Sequence, residues 1–191
     1  MPEGGSGKVH HELELFPAIP FVFYNFLHEG RLKALLPDKN EFYAGPATRE
    51  NIAMFLPLRI DVESLVSLLM GIPPAVAEKD PQREASMEEG SCRIDIRAGG
   101  SRIQSLRVRP ADGLIEGIDI YNGGERPLYR VRYEDPIQSG EFATPRKTVI
   151  VSEEDRTTLT IRYTEVEWSA EEDKTAFDLK VPPGVKEGAF P

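Results

Sequence analysis

Cysteine is nearly absent: Cys92 stands alone in 191 residues, which excludes an internal disulfide framework and a thiolate metal cluster. Histidine is almost as scarce, with only His10, His11 and His28. No His-x-x-x-His or Cys/His spacing links them, so no metal is expected. No run of 18 or more apolar residues occurs, so no helix is expected to span a bilayer. Basic residues are outnumbered, 23 against 32 acidic ones, for a formal net charge of -9 and a pI near 5.0. That balance repels a phosphate backbone and excludes nucleic acid as an expected partner. Catalytic signatures are missing as well. GGSG (4–7) has a glycine loop's composition without the strand, helix or Gly-Lys-Ser/Thr of a phosphate loop, and no G-x-S-x-G elbow exists. The acidic clusters EEDR (153–156), AEEDK (170–174) and MEEG (87–90) fall at turns and connections, where solvation accounts for them. A binding protein without a cofactor is expected rather than an enzyme.

What is present is mostly strand-like alternation, punctuated by glycine, proline and acidic turns. Residues 1–7 read as a flexible lead and 8–191 as a single domain. HELELF (11–16), FVFYNFL (21–27), RLKALLP (31–37) and EFYAG (41–45) come first, and then the period changes. Thr48 can cap a helix, since its hydroxyl can accept from a first-turn N–H, and Pro57 stops it, giving a helix over about 48–56. Asp61 and Glu63 suit a second helix N-terminus and Gly71 its end, giving 61–70. Val62, Leu65, Val66, Leu69 and Met70 recur at helical spacing on this second helix, with Leu68 off the stripe and widening it. AVAEKDPQREASMEEG (75–90) is polar and reads as a flexible connection without a strand. Strands resume in CRIDIRA, RIQSLRVR, GLIEGIDIY, PLYRVRY, RKTVIVS, TLTIRYTEVEW and AFDLKVP. The tight turns between them make antiparallel neighbours the natural pairing, and in the first of these strands Cys92 is expected on the buried face.

Two strands change phase. Leu159, Ile161 and Tyr163 share one parity and Val166 and Trp168 the other; the same switch separates Ile103 from Leu106 and Val108. Such switches imply bulges or bends, and hence a strongly curved sheet. The fold expected is mainly β, an unclosed antiparallel barrel whose concave side needs a cover. Only the two helices are long enough to supply one. Ile52, Phe55 and Leu56, with Leu65, Val66, Leu69 and Met70, suit either a lid over a cavity or plain core filling, and the stripe does not choose between them.

The order of these features resembles the LolA/LolB superfamily of lipoprotein carriers, most closely its LolB-like outer-membrane lipoproteins of unknown function. The matching segments are ALLPDKNEFYAG (34–45), TRENIAMFLPL (48–58), DVESLVSLLMGIPP (61–74) and the run from Thr144 to Lys186, with Pro145 leading a strand, Trp168 on its twisted partner, and Phe177, Pro182 and Gly184 in the family's closing pattern. The resemblance implies an apolar cavity for acyl chains of lipoproteins or other lipids, with Ile52, Phe55, Leu56, Leu65, Val66, Leu69, Met70 and Trp168 around it. It implies a membrane-delivery loop at FPAIPF (16–21), with Ile19 and Phe21 as its apolar residues. It also implies a periplasmic setting and a lipid anchor on an N-terminal cysteine. No such cysteine or signal peptide is visible, so the chain is expected to be the soluble part of a longer precursor. Missing first strands would leave an open sheet edge that a second copy could cover. On the same scaffold, the alternative is a regulatory or structural envelope lipoprotein that binds a protein partner.

Overall fold

Two-residue connections with both residues in the left-handed region turn a chain back on itself with the twist that paired strands require. Glu89 and Gly90 (φ 50 and 87) make one such connection, and Gly99 and Gly100 (φ 53 and 81) make another. Around them the described residues form eleven strands and two short helices. The structure, a computed structural model, describes residues 6–15, 30–36, 39–56, 58, 60–139, 142–152, 154, 156–169, 181 and 183–190. The larger sheet has the order β1-β10-β9-β8-β7-β6-β5-β4 and is not closed into a barrel; a smaller one has the order β11-β3-β2. The chain divides into two compact units where the sequence reads as one domain: Met1–Val62 with Ile161–Pro191, and Glu63–Thr160.

In the first unit, β1 (Ser6–Leu15) begins inside the segment expected to be a flexible lead. β2 (Arg31–Leu36) and β3 (Glu41–Pro46) form an antiparallel hairpin that buries Leu32, Ala34 and Leu36 on one face and Phe42 opposite them. β11 (Lys186–Gly188), which no alternation announces, joins β3 in parallel. Asn40 draws it in: its Nδ2 donates to the Gly184 carbonyl (2.8 Å) and its own carbonyl accepts from Lys186 N (3.0 Å). Helix α1 (Arg49–Ala53) is shorter than the expected 48–56, with Thr48 as its cap, the hydroxyl accepting from Asn51 N at 3.2 Å.

The second unit carries helix α2 (Val62–Leu69, its first residue belonging to the first unit) and strands β4 (Gln82–Glu88), β5 (Ser91–Ala98), β6 (Ser101–Val108), β7 (Ile115–Ile120), β8 (Tyr129–Ser139) and β9 (Phe142–Ser152). Strand β4 replaces the flexible connection expected over 75–90. It pairs with β5 along its whole length, although every one of its residues is exposed. Alternation gives this sheet two unlike faces, as one-sided burial requires. On one face Ala85, Ile94, Leu106, Ile118, Val131 and Ile150 stand directly opposite one another in a single row across six strands. On the other, Asp95, Ser105, Asp119 and Arg130 form an equally continuous polar row. Register shifts at Ile96/Arg97 and Arg107/Val108 are the irregularities that the phase change in β6 anticipates. β10 (Thr157–Ser169) runs from the second unit into the first and buries Leu159, Ile161 and Tyr163. Its side chains beyond Tyr163, and therefore the expected bend near Thr164, lie outside the described residues, as do FVFYNFL and nearly all of AFDLKVP.

Strands β8 and β9 extend well past PLYRVRY and RKTVIVS because they pass through two prolines. Pro136 and Pro145 are directly opposite each other, so the two positions that cannot donate an N–H coincide in the ladder. Asp135, just before, has φ 52 within the strand, a conformation that costs a non-glycine residue stability but is tolerated best by Asp and Asn.

Candidate functional site

Helix α2 is short, amphipathic and cleanly ended. Val62, Leu65 and Leu68 are buried, while Val66, Leu69 and Met70 are half-buried. Leu68, which the sequence stripe leaves out, is thus the most deeply buried residue of the helix. Gly71 (φ 74) terminates it with the two bonds of a Schellman motif, Gly71 N to Leu68 O (3.2 Å) and Ile72 N to Ser67 O (2.8 Å). Glycine is required twice over here: its φ is left-handed, and a Cβ would stand 3.0 Å from Pro145 Cδ.

Two hydrogen bonds fasten this helix end within its unit. The Tyr133 hydroxyl of β8 donates to the Leu68 carbonyl (2.8 Å), and Gln104 Nε2 of β6 donates to the Pro74 carbonyl (2.7 Å) in a buried setting. Beside this end lies a groove of about 620 Å3. Gly71, Leu114, Ile115, Tyr133, Pro136 and Pro145 give it apolar walls, and Arg109, Asp112, Glu116, Glu134 and Asp135 give it a charged margin. Its size falls within the range of roughly 300–1,000 Å3 usual for small-molecule sites. The margin is internally paired. Arg109 grips Asp112 through two nitrogens (Nε–Oδ1 3.0 Å, Nη2–Oδ2 2.9 Å), and Lys147 reaches Glu134 at 2.7 Å. The hydrogen bond from Arg109 holds the Asp112 carboxyl below its usual range. The turn from Arg109 to Leu114 is closed by Arg109 N to Leu114 O and Gly113 N to Arg109 O, which fixes this side of the margin.

The expected site residues divide. Ile52, Phe55 and Leu56 are buried, with Phe55 edge-on to Tyr43 (5.4 Å between centroids) and to Phe190 (5.8 Å), all in the first unit. Leu65, Val66 and Leu69 lie on α2 with Met70 just beyond its end, and the groove is reached only at the Gly71 that follows them. Ile19, Phe21 and the Trp168 side chain lie outside the described residues. Leu114 and Ile115 went unsuspected because they sit where the turn at Gly113 leads into β7, and Tyr133 because its parity with Tyr129 and Val131 in β8 announces only a strand face; Pro145 was legible only as the head of its strand. On the polar face, a cleft of about 50 Å3 among Arg93, Ser105, Arg107 and Asp119 has room for little more than a water. Burial raises the Asp119 carboxyl above its usual value despite four arginines around it. Among the described residues no group of three or more His, Cys, Asp or Glu is placed to hold a metal ion, and no helix is long and apolar enough to cross a membrane.

No protein-family model matches the sequence, and no curated protein matches it. Solved structures do. A Vibrio parahaemolyticus domain assigned to outer membrane lipoprotein sorting superposes with a TM-score of 0.51 at 8% identity, over 81% of this chain and 66% of that one. A DUF1329 family protein from Desulfovibrio piger gives 0.52 at 11% identity, over 82% and 66%. The fold is LolA/LolB-like. At such identities the likeness concerns the fold alone, and this chain spans 66% of the length of each of these two relatives. A LolA superfamily protein from Nitrosomonas europaea aligns at 10% identity over 80% of this chain and 68% of that one, with a TM-score of 0.49. The open sheet and the Gly71 turn that follows α2 frame a groove in the second unit.

Proposed function

We propose that this chain is a non-enzymatic carrier of the bacterial periplasm that binds an acyl chain of a lipid or lipoprotein in the groove beside α2. The observation that carries the reading is the groove itself, about 620 Å3 and lined by apolar side chains together with charged ones of which Asp112 and Glu134 are ion-paired, set in a fold shared with a lipoprotein-sorting domain. An amphiphile fits both parts, its tail against Leu114, Ile115 and Pro145 and its head at the margin.

Displacement of a fluorescent fatty acid by a series of acyl chains tests this. Each added methylene contributes about 0.8 kcal/mol, so affinity rises roughly fourfold per carbon until the groove is full and then levels off. Ile115→Asp, at the groove wall, abolishes the gain. Affinity independent of chain length, or no displacement at all, contradicts the reading.

A further inference from the structure

The apolar row of the second unit stops at an edge strand that no other described strand pairs on its outer side. Along it burial fades from complete at Ile150 through Val131, Ile118 and Leu106 (9% exposed) to the half-buried Ile94 and the exposed Ala85. β4 is the terminal strand of the sheet order, and all seven of its residues are exposed. Met87, opposite Cys92 and on the same face as the row, is 66% exposed, more than any other large apolar side chain among the described residues.

We propose that a second copy of this chain pairs with this edge, β4 against β4, about a two-fold axis at Ala85. Symmetry restricts the choice. An antiparallel pair of identical strands has its axis perpendicular to the sheet, so opposite residues share a face and the axis must pass through a residue. An axis at Glu84 sets Glu84 against itself; one at Ser86 sets Glu84 against Glu88; one at Arg83 sets two arginines together. Like charges directly opposite are destabilising. An axis at Met87 leaves most of the strand unpaired. Only the axis at Ala85 engages all seven residues, Gln82 facing Glu88, Arg83 facing Met87 and Glu84 facing Ser86, with no like charges opposed. It also brings Ala85 to Ala85, which carries the row of six apolar residues without a break into the second copy and places each Met87 diagonally beside that seam. The pairing area is small, so the dimer is a weak one that forms with rising concentration.

Sedimentation across a concentration series reaching about 1 mM measures the dimer. Ser86→Glu, which opposes carboxylates twice across the axis, weakens it, and Gln82→Lys, which pairs twice with Glu88, tightens it, each by roughly two- to thirtyfold. In a Cys92→Ser background, Ala85→Cys forms a covalent dimer under mild oxidation, because a directly opposite pair has its Cα atoms about 4.5–5.5 Å apart. Met87→Cys does not, because its two copies are about four residues, or roughly 13 Å, out of register. Melting curves establish that each variant is folded, and all five sites are exposed or half-buried. A monomer at every concentration overturns the proposal, as does equal cross-linking of the two cysteine variants or a dimer indifferent to both charge substitutions.

Discussion

Two neighbouring segments with the same kind of apolar sequence end in different situations. In the α1 segment Ile52, Phe55 and Leu56 are all at most 3% exposed, and Phe55 packs edge-on into an aromatic cluster with Tyr43 and Phe190. In α2 only Val62, Leu65 and Leu68 are buried; Val66, Leu69 and Met70 keep part of their surface, and the helix runs out at the margin of a groove. The first is packing brought to completion. The second has apolar surface to spare. A helical stripe announces that a face will be buried, but whether the burial is complete depends on what residues distant in sequence bring to it.

That contrast can be broken or sharpened by substitution. Phe55→Ala removes a ring from a filled cluster and is expected to cost about 3–5 kcal/mol, read from denaturant unfolding, with no change in ligand affinity per folded molecule. Leu68→Ala, in the one position of α2 with no exposure, costs about 2–4 kcal/mol by the same mechanism. A loss below about 1 kcal/mol would mean that α2 is not anchored there. On the polar face of the second unit, Asp95 provides a calibration. Burial acts to raise its carboxyl, but hydrogen bonds from Ser105 and Arg93 and the charges of Arg93 and Arg102 outweigh it and hold the group below its ordinary 3.8. Its contribution is therefore present above pH 3.8 and lost as pH falls through the lower folded value. Asp95→Asn is expected to cost about 1–3 kcal/mol at pH 7, with the gap from the parent protein closing in melts at progressively lower pH. Tyr133→Phe, which deletes the bond to Leu68 O, costs about 0.5–1.5 kcal/mol and exposes the α2 amides to faster hydrogen exchange than those of α1. Met70→Gln, on the half-buried side, stays within about 0.5 kcal/mol of the parent.

Much of this fold can be read from the residues. The Thr48 cap, the Gly71 stop and the Gly99-Gly100 turn are local devices, each written in two or three neighbouring residues, and each stands where expected. The β class and its antiparallel pairing follow from alternation in β5 to β7 and β10. Strand β4 escaped because QREASME buries nothing; its pairing with β5 and the turn at Glu89-Gly90 make it a strand. β8 and β9 seemed to end early because Asp135, Pro136 and Pro145 look like stops until the two prolines are seen to face each other. The groove was least legible of all. Leu114 and Ile115 at the start of β7, Tyr133 within β8 and Pro145 within β9 come from three separate stretches of sequence, and only the sheet assembles them.

A fatty acid carrying a photoreactive group at its tail, cross-linked to the purified protein and mapped by peptide mass spectrometry, tests the central claim most directly. Adducts concentrated on Leu114 to Glu116, Tyr133 to Pro136 and Ala143 to Pro145, and competed away by unlabelled acyl chains, are the expected result. Adducts centred instead on Tyr43, Phe55 and Phe190, or scattered without competition, would contradict it.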